Sequence, residues 1–204
     1  MSLAGCRHGS VPVSRQDIPD LHVGTTLREF NKIYHLSFQK ADCCEFMEIV
    51  KIPRMEKAEY DRLIEKGYIC RIAFQGEKYP YIAPFLYVFD GSFMYFLSTK
   101  YGKKLEYFRK SPHVSVEIEK YTKDLSSYTF VTLQGYLEEV DDSIEKKIIR
   151  DKFVELIVER KLSCNILAAL GHSPADPPAK IAEEERSLVW KLVGVRDLVA
   201  LKNL

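Results

Sequence analysis

From Tyr81 to Phe89 the chain reads Y-I-A-P-F-L-Y-V-F, apolar on both faces of an extended backbone. Successive side chains of a strand point to opposite sides. Tyr81, Phe85 and Tyr87 therefore take one face, and Ile82, Leu86 and Val88 the other. A small barrel has a single interior, so a strand of this kind needs a second cover for its outer face, from a helix of the same chain or from another subunit. Pro84 sits inside the run without an N–H to give, which implies an interrupted ladder, as at an edge or bulge. A homodimer is the expectation.

Around this strand the pattern is mostly β. Tyr68 to Phe74 reads as a strand, Gln75-Gly76-Glu77-Lys78 as a turn, and Asp90-Gly91 as a hairpin signal before Phe93 to Ser98. Val114, Val116 and Ile118 alternate with Ser115, Glu117 and Glu119. Tyr128 to Val140 gives a longer strand and Leu188 to Val195 a closing one. Helices are predicted over Met55 to Lys66, where Tyr60, Leu63 and Ile64 share a face and Gly67 stands at the end, and over Lys103 to Lys110, closed by Ser111-Pro112. Asp142 with Glu145 has the spacing of a capping box and opens a helix striped by Ile149, Phe153, Leu156 and Ile157. A helical turn follows over Asn165 to Leu170, then a loop from His172 to Pro178. The fold class expected is mainly β with peripheral helices, an antiparallel barrel. Residues 47–204 form that domain. Residues 1–46 read as an irregular or partly helical extension, with a short helix from Thr26 to Phe38.

Composition narrows the function classes. A net charge of +1 over 204 residues does not provide the basic stripe of a nucleic-acid binder. No apolar run is long enough to span a bilayer, and the N-terminus lacks a signal-peptide layout, so a soluble cytoplasmic protein is expected, without membrane or nucleic-acid partners. Five cysteines, an odd number at irregular spacing, suggest no disulfide framework. Cys6, His8, Cys43 and Cys44 lack a zinc-type pair spacing, and no metal site is expected.

The chemistry concentrates in S-T-K-Y-G-K-K, Ser98 to Lys104. Lys103 and Lys104 open a helix, where cations oppose the macrodipole. An anion docked at that turn reconciles them, because free N–H groups, the dipole and both ammonium groups would then point at one negative charge. Ser98 and Thr99 add hydroxyl donors from the strand side, and phosphate is the natural ligand.

Three runs, Y-P-Y-I-A-P-F-L-Y-V-F-D-G (Tyr79 to Gly91), M-Y-F-L-S-T-K-Y-G-K-K (Met94 to Lys104) and R-K-S-P-H-V-S-V (Arg109 to Val116), resemble the split-barrel flavoproteins related to pyridoxamine 5′-phosphate oxidase. The likeness is nearest to the flavin-nucleotide-binding branch that includes nitroimidazole reductases. It covers most of residues 47–204. The resemblance implies FMN at a dimer interface, with FAD possible, its phosphate on Ser98, Lys103 and Lys104. The backbone of Pro84, Phe85, Leu86 and of Leu97 would run beside the isoalloxazine ring. Leu97 stands where nitroimidazole reductases carry a histidine, and Ala83 where the oxidases carry an arginine, so neither mechanism transfers and vitamin B6 synthesis is not expected.

Other residues carry two readings each. His113 could reach the flavin phosphate or substrate, but as a strand-start histidine it reads first as structural; His172 could belong to a site lid. Trp190 fills core or packs near the ring. Arg71 reads as a surface or dimer ion pair, Cys70 as a core residue with no cation to activate it, and Glu183-Glu184-Glu185 as a solvated connection. Tyr107 and Phe108 would anchor the helix that follows the lysines. No catalytic residue is named. The functional expectation is a flavin-dependent oxidoreductase acting on a small molecule. The alternatives are a flavin-binding module without turnover, or a haem-binding split barrel.

Overall fold

The computed structural model of the chain describes residues 52–203. The expected extension over residues 1–46, its Thr26–Phe38 helix and the Cys6, His8, Cys43 and Cys44 set lie outside them.

Helix α1 (Lys57–Lys66) starts at Glu56, whose backbone N–H donates to Glu59 Oε2 at 2.8 Å. It ends at Gly67, as expected, but not through a left-handed turn: Gly67 has φ −74°. What excludes a side chain there is Tyr87. A Cβ on Gly67 would lie 2.2 Å from the Tyr87 hydroxyl, which donates to Ile64 O at 2.7 Å.

Six strands, β1 (Ile69–Phe74), β2 (Tyr81–Phe89), β3 (Met94–Thr99), β4 (His113–Tyr121), β5 (Tyr128–Glu139) and β6 (Ser187–Lys202), close an antiparallel barrel in the order β1-β2-β3-β6-β5-β4. The β2–β3 turn is held by Asp90, whose Oδ1 accepts from the N–H groups of Ser92 and Phe93, with Gly91 at φ 100°. Helix α2 (Lys103–Lys110) follows β3, α3 (Ser143–Glu159) follows β5, and two four-residue helices, α4 (Ile166–Ala169) and α5 (Lys180–Glu183), precede β6.

The barrel is parted at β2. Against β1 it pairs from Tyr81↔Phe74 to Leu86↔Ile69, whereas against β3 it pairs only at Tyr87↔Phe96, Val88↔Tyr95 and Phe89↔Met94. Tyr87 N–H donates to Tyr68 O, so by antiparallel alternation the backbone polar groups of Leu86, Pro84 and Ile82 point away from β1, toward the gap. Pro84 therefore lacks its N–H on the side where no neighbouring strand asks for one. This is the interrupted ladder that the sequence implied.

The closing strand was expected to end at Val195; β6 instead runs on to Lys202. The register between β5 and β6 shifts between Gln134 and Tyr136, and there the two strands approach too closely for side chains. A Cβ on Gly135 would lie 2.7 Å from Val193 O, and one on Gly194 (φ 56°) 2.3 Å from the Tyr136 ring. The glycine marks a bulge rather than a terminus.

Two cores result. Phe74, Ala83, Phe85, Tyr87, Phe96 and Trp190 fill the barrel. Leu86, Val88, Tyr95 and Leu97, on the outer face, are covered by Ile149, Phe153 and Ile157 of α3, by Leu167 of α4, by Leu170 and by Ile181 of α5. The second cover predicted for β2 is thus supplied at Leu86 and Val88 by the chain's own helices. Ile82, two residue pairs further along the same face, stays 60% exposed. α3 is capped by Asp142 Oδ1, which accepts from Glu145 N at 2.7 Å. The reciprocal half of the capping box is absent from the hydrogen bonds of the described residues; the Glu145 carboxylate accepts from Tyr95 Oη and Lys191 Nζ instead.

Candidate functional site

Where the β2–β3 ladder stops, a cavity of about 220 Å³ opens, lined by Ile69, Pro84, Phe85, Leu86, Leu97, Lys104, Ile166, Ala169 and Leu170. Five of the eight residues expected to hold a ligand therefore line one space: Pro84, Phe85, Leu86, Leu97 and Lys104. Strands β2 and β3 and helix α2 bring them there, and α4 completes the wall. The parting of β2 from β3 leaves Leu86 and Leu97 on facing edges, α2 carries Lys104 to the rim, and α4 closes the far wall with aliphatic side chains.

Lys104 is half-buried, with its Nζ 5.2 Å from the centre of the Phe85 ring. Burial holds its pKa below the ordinary lysine value, and among the described residues it pairs with no carboxylate. A desolvated cation with only a ring face as neighbour favours an incoming anion. Lys103 is exposed and outside the cavity lining. The preceding Gly102 has φ 94°, a left-handed conformation that favours glycine, and the N–H groups of the first turn of α2 follow it. Ser98 and Thr99 do not line the cavity. Ser98 is fully buried and its hydroxyl donates to Thr99 O at 3.1 Å, while the Thr99 hydroxyl donates to Tyr101 O at 3.0 Å. Both protons are committed to the turn that positions α2, which leaves these side chains shaping the loop rather than facing the cavity.

The remaining candidates separate. Trp190 is fully buried, its ring 4.7 Å from Phe108, 6.0 Å from Phe85 and 6.1 Å from Phe74, so it is core. Tyr107 and Phe108 pack α2 onto that core, as anticipated. Cys70 is buried and burial pushes its thiol pKa up, away from nucleophilic chemistry. Arg71 makes a surface ion pair with Glu119 of β4, with Glu117 alongside at 3.9 Å. His113 is exposed and lines a different space, of about 450 Å³, with Gln75, Tyr136 and Arg196. His172 is buried, not a surface lid. The Glu183–Glu185 run is partly engaged: Glu183 and Glu184 pair with Lys180, and Glu185 pairs with Arg150 at 3.2 Å.

The sequence reading missed Arg150. It is 3% exposed on the buried face of α3, and its Nη2 donates to Ser187 O at 2.7 Å, fastening α3 to the start of β6. Ile166, Ala169 and Leu170 were equally unreadable as a cavity wall, because only the return of α4 over β2 puts them there.

A family model described as pyridoxamine 5′-phosphate oxidase matches residues 56–186. No curated protein matches the chain. Several solved structures share its fold. A FAD-binding protein from Mesorhizobium loti is 19% identical with a TM-score of 0.57, covering 76% of this chain and 100% of its own. A conserved hypothetical protein from Mycobacterium tuberculosis is 19% identical at a TM-score of 0.54, covering 81% and 89%. A heme storage protein from Vibrio cholerae is 12% identical at 0.53, covering 72% and 94%. No helix among the described residues is long and apolar enough to cross a membrane. The family match runs from the residue that caps α1 to the residue before β6, so most of the described barrel falls inside it, and the chain belongs to the pyridoxamine 5′-phosphate oxidase family of split-barrel proteins.

Proposed function

We propose that the chain binds a flavin nucleotide, FMN in the first instance, in the cavity between β2 and β3, and serves as a flavin-dependent oxidoreductase on a small molecule. One observation carries the reading. Five of the eight expected residues, Pro84, Phe85, Leu86, Leu97 and Lys104, meet where the ladder stops, and Lys104 is half-buried and pairs with no carboxylate among the described residues. The M. loti relative, described as FAD-binding, supports a flavin without deciding which nucleotide.

The residues present suit the ligand. Leu86 and Leu97 offer backbone donors and acceptors along the gap for the polar edge of a planar ring, and Phe85, Ile166 and Leu170 supply apolar walls. Lys104, backed by Lys103 and the first-turn N–H groups of α2, neutralises a phosphate. A bound flavin would supply hydride and electron transfer, and the protein position and electrostatics. The apolar walls would keep water from a bound ring, and Lys104 would hold its charge toward the phosphate. Apart from Lys104, whose charge this reading assigns to the phosphate, the lining residues carry no general acid or base, so proton delivery falls to solvent or substrate.

A second copy of the chain completes the site in this reading. Ligand pockets enclose roughly 300–1,000 Å³, and about 220 Å³ from one chain falls short of that range. Ile69 and Ile82, exposed by 54% and 60%, present apolar surface for the partner around the same strands.

The test is a visible spectrum of the purified full-length protein, followed by titration with FMN and by reduction with a nicotinamide donor. A flavin spectrum, native or after reconstitution, with reduction and reoxidation by a small acceptor is expected. A colourless protein that takes up no FMN, or one that shows a Soret band on haem addition and ignores flavin, overturns the reading.

A further inference from the structure

A second groove shares only Ile69 with the site above. It lies between α1 and the hairpin joining β4 to β5, encloses about 680 Å³, and is lined by Arg62, Lys66, Lys120 and Arg160 beside Tyr68 and Tyr121. Four cations are concentrated there in a chain whose net charge is +1. None of the four pairs with a carboxylate among the described residues. The single acid in the lining, Glu119, is already held by Arg71. Arg160 is fixed in place, its guanidinium 5.3 Å from the centre of the Tyr68 ring and its Nη2 donating to Lys66 O at 3.1 Å. Tyr121 is 58% exposed at the groove.

Like charges gathered without counter-charges repel one another, and an occupant carrying two or more negative charges relieves that repulsion. Arginine and lysine grip phosphate oxygens, and an exposed tyrosine offers a face on which a base stacks. The volume is that of a nucleotide pocket rather than an ion site. Ile69 lines both this groove and the cavity between β2 and β3, so the two spaces adjoin at one side chain.

We propose that the groove binds a nucleoside diphosphate group. Two molecules could bring it: the adenosine diphosphate half of a flavin dinucleotide whose ring occupies the adjoining cavity, or that of a dinucleotide electron donor. The first source rests on the flavin reading; the groove itself does not.

Arg62 and Lys120 make no side-chain hydrogen bond or ion pair among the described residues, so Arg62→Ala with Lys120→Ala tests the groove without touching the fold or the cavity. Calorimetry of the full chain with ADP at low salt should show binding, weakened at least tenfold in the double variant. A parallel tenfold loss for FAD with FMN unchanged assigns the group to the flavin dinucleotide; loss for NADPH with FAD unchanged assigns it to the donor. Wild-type protein that does not bind ADP, or a double variant that binds it as well as wild type, overturns the proposal. Inorganic pyrophosphate binding as tightly as ADP would overturn the nucleoside part. ADP binding without FMN binding would sink the flavin reading and leave the groove standing, and the reverse would sink the groove alone.

Discussion

Lys103 and Lys104 are neighbours in the first turn of α2, yet only Lys104 lines the cavity and lies half-buried. A charge-assisted contact is worth about 1.5–3 kcal/mol, or roughly one to two decades in affinity. Lys104→Ala should therefore weaken FMN binding by about that factor, and Lys103→Ala by less, because an exposed charge is screened by salt. Titration of the two apoproteins with FMN, with circular dichroism to confirm the fold, checks the order. An unchanged dissociation constant for Lys104→Ala would remove this lysine from the phosphate site. His172 leads to a separate expectation. Its ring is buried, neither nitrogen has a partner among the described residues, and burial holds its pKa below the ordinary value. Arg186 and Arg150 push the same way, Glu184 and Asp176 the other. The unfolded chain takes up this proton near pH 6.5 while the folded chain resists it, so the unfolded state binds more protons and stability falls as pH drops below about 6.5. His172→Leu should flatten that acid limb. At pH 7.5 it should leave stability unchanged or improved, since two unsatisfied polar atoms go with the ring. Urea melts at pH 7.5 and 5.5 measure both; a variant that loses as much stability as wild type between them would assign the acid limb to other groups.

The joint between α1 and β2 shows how far a local pattern carries. Gly67 was legible as the helix end, but the reason lies twenty residues away, in the hydroxyl of Tyr87. Gly67→Ala drives a Cβ into that hydroxyl and to within 2.9 Å of Leu63 O, an overpacking that costs about 1–3 kcal/mol. Tyr87→Phe alone gives up its hydrogen bond to Ile64 O, about 0.5–1.5 kcal/mol. Combined with Gly67→Ala it should restore part of the loss, because the clashing atom is gone. A double-mutant cycle in urea should show non-additivity of at least ~0.5 kcal/mol, and strict additivity would mean the helix end relaxes away from Tyr87. The same division runs through the other elements. Asp90-Gly91, the alternation of β4 and the stripe of α3 are local signals, and the strands and helices they announce are there. The end of the closing strand was misplaced at Val195, because the bend at Gly194 that lets β6 continue depends on the Tyr136 ring across the ladder. Arg150 stayed hidden for the same reason: its partners, Ser187 O and Glu185, lie far along the chain. The candidate site divides likewise. Its β2, β3 and α2 residues form continuous motifs, and its α4 wall does not.

If a flavin lies between two copies, occupancy and assembly are linked, because a ligand that prefers the dimer stabilises it by the same coupling energy with which the dimer favours the ligand. The structure determines where this is best probed. Phe85 points into the barrel core and Leu86 lies under the helices, so a charge at either position would damage the fold before it reported on assembly. Ile82 shares the outer face of β2 with Leu86 but is 60% exposed, outside both cores. Ile82→Asp should therefore leave a folded chain with a normal thermal transition while weakening dimerisation and flavin retention together. Analytical ultracentrifugation with absorbance read at the flavin band follows both quantities in one experiment. Dilution of the wild-type holoprotein should release flavin in step with dissociation, and Ile82→Asp should shift both curves to higher protein concentration by a similar factor. A monomer sedimenting with full flavin would refute the shared site. An Ile82→Asp protein that loses flavin while remaining a dimer would place the residue beside the ligand rather than on the seam.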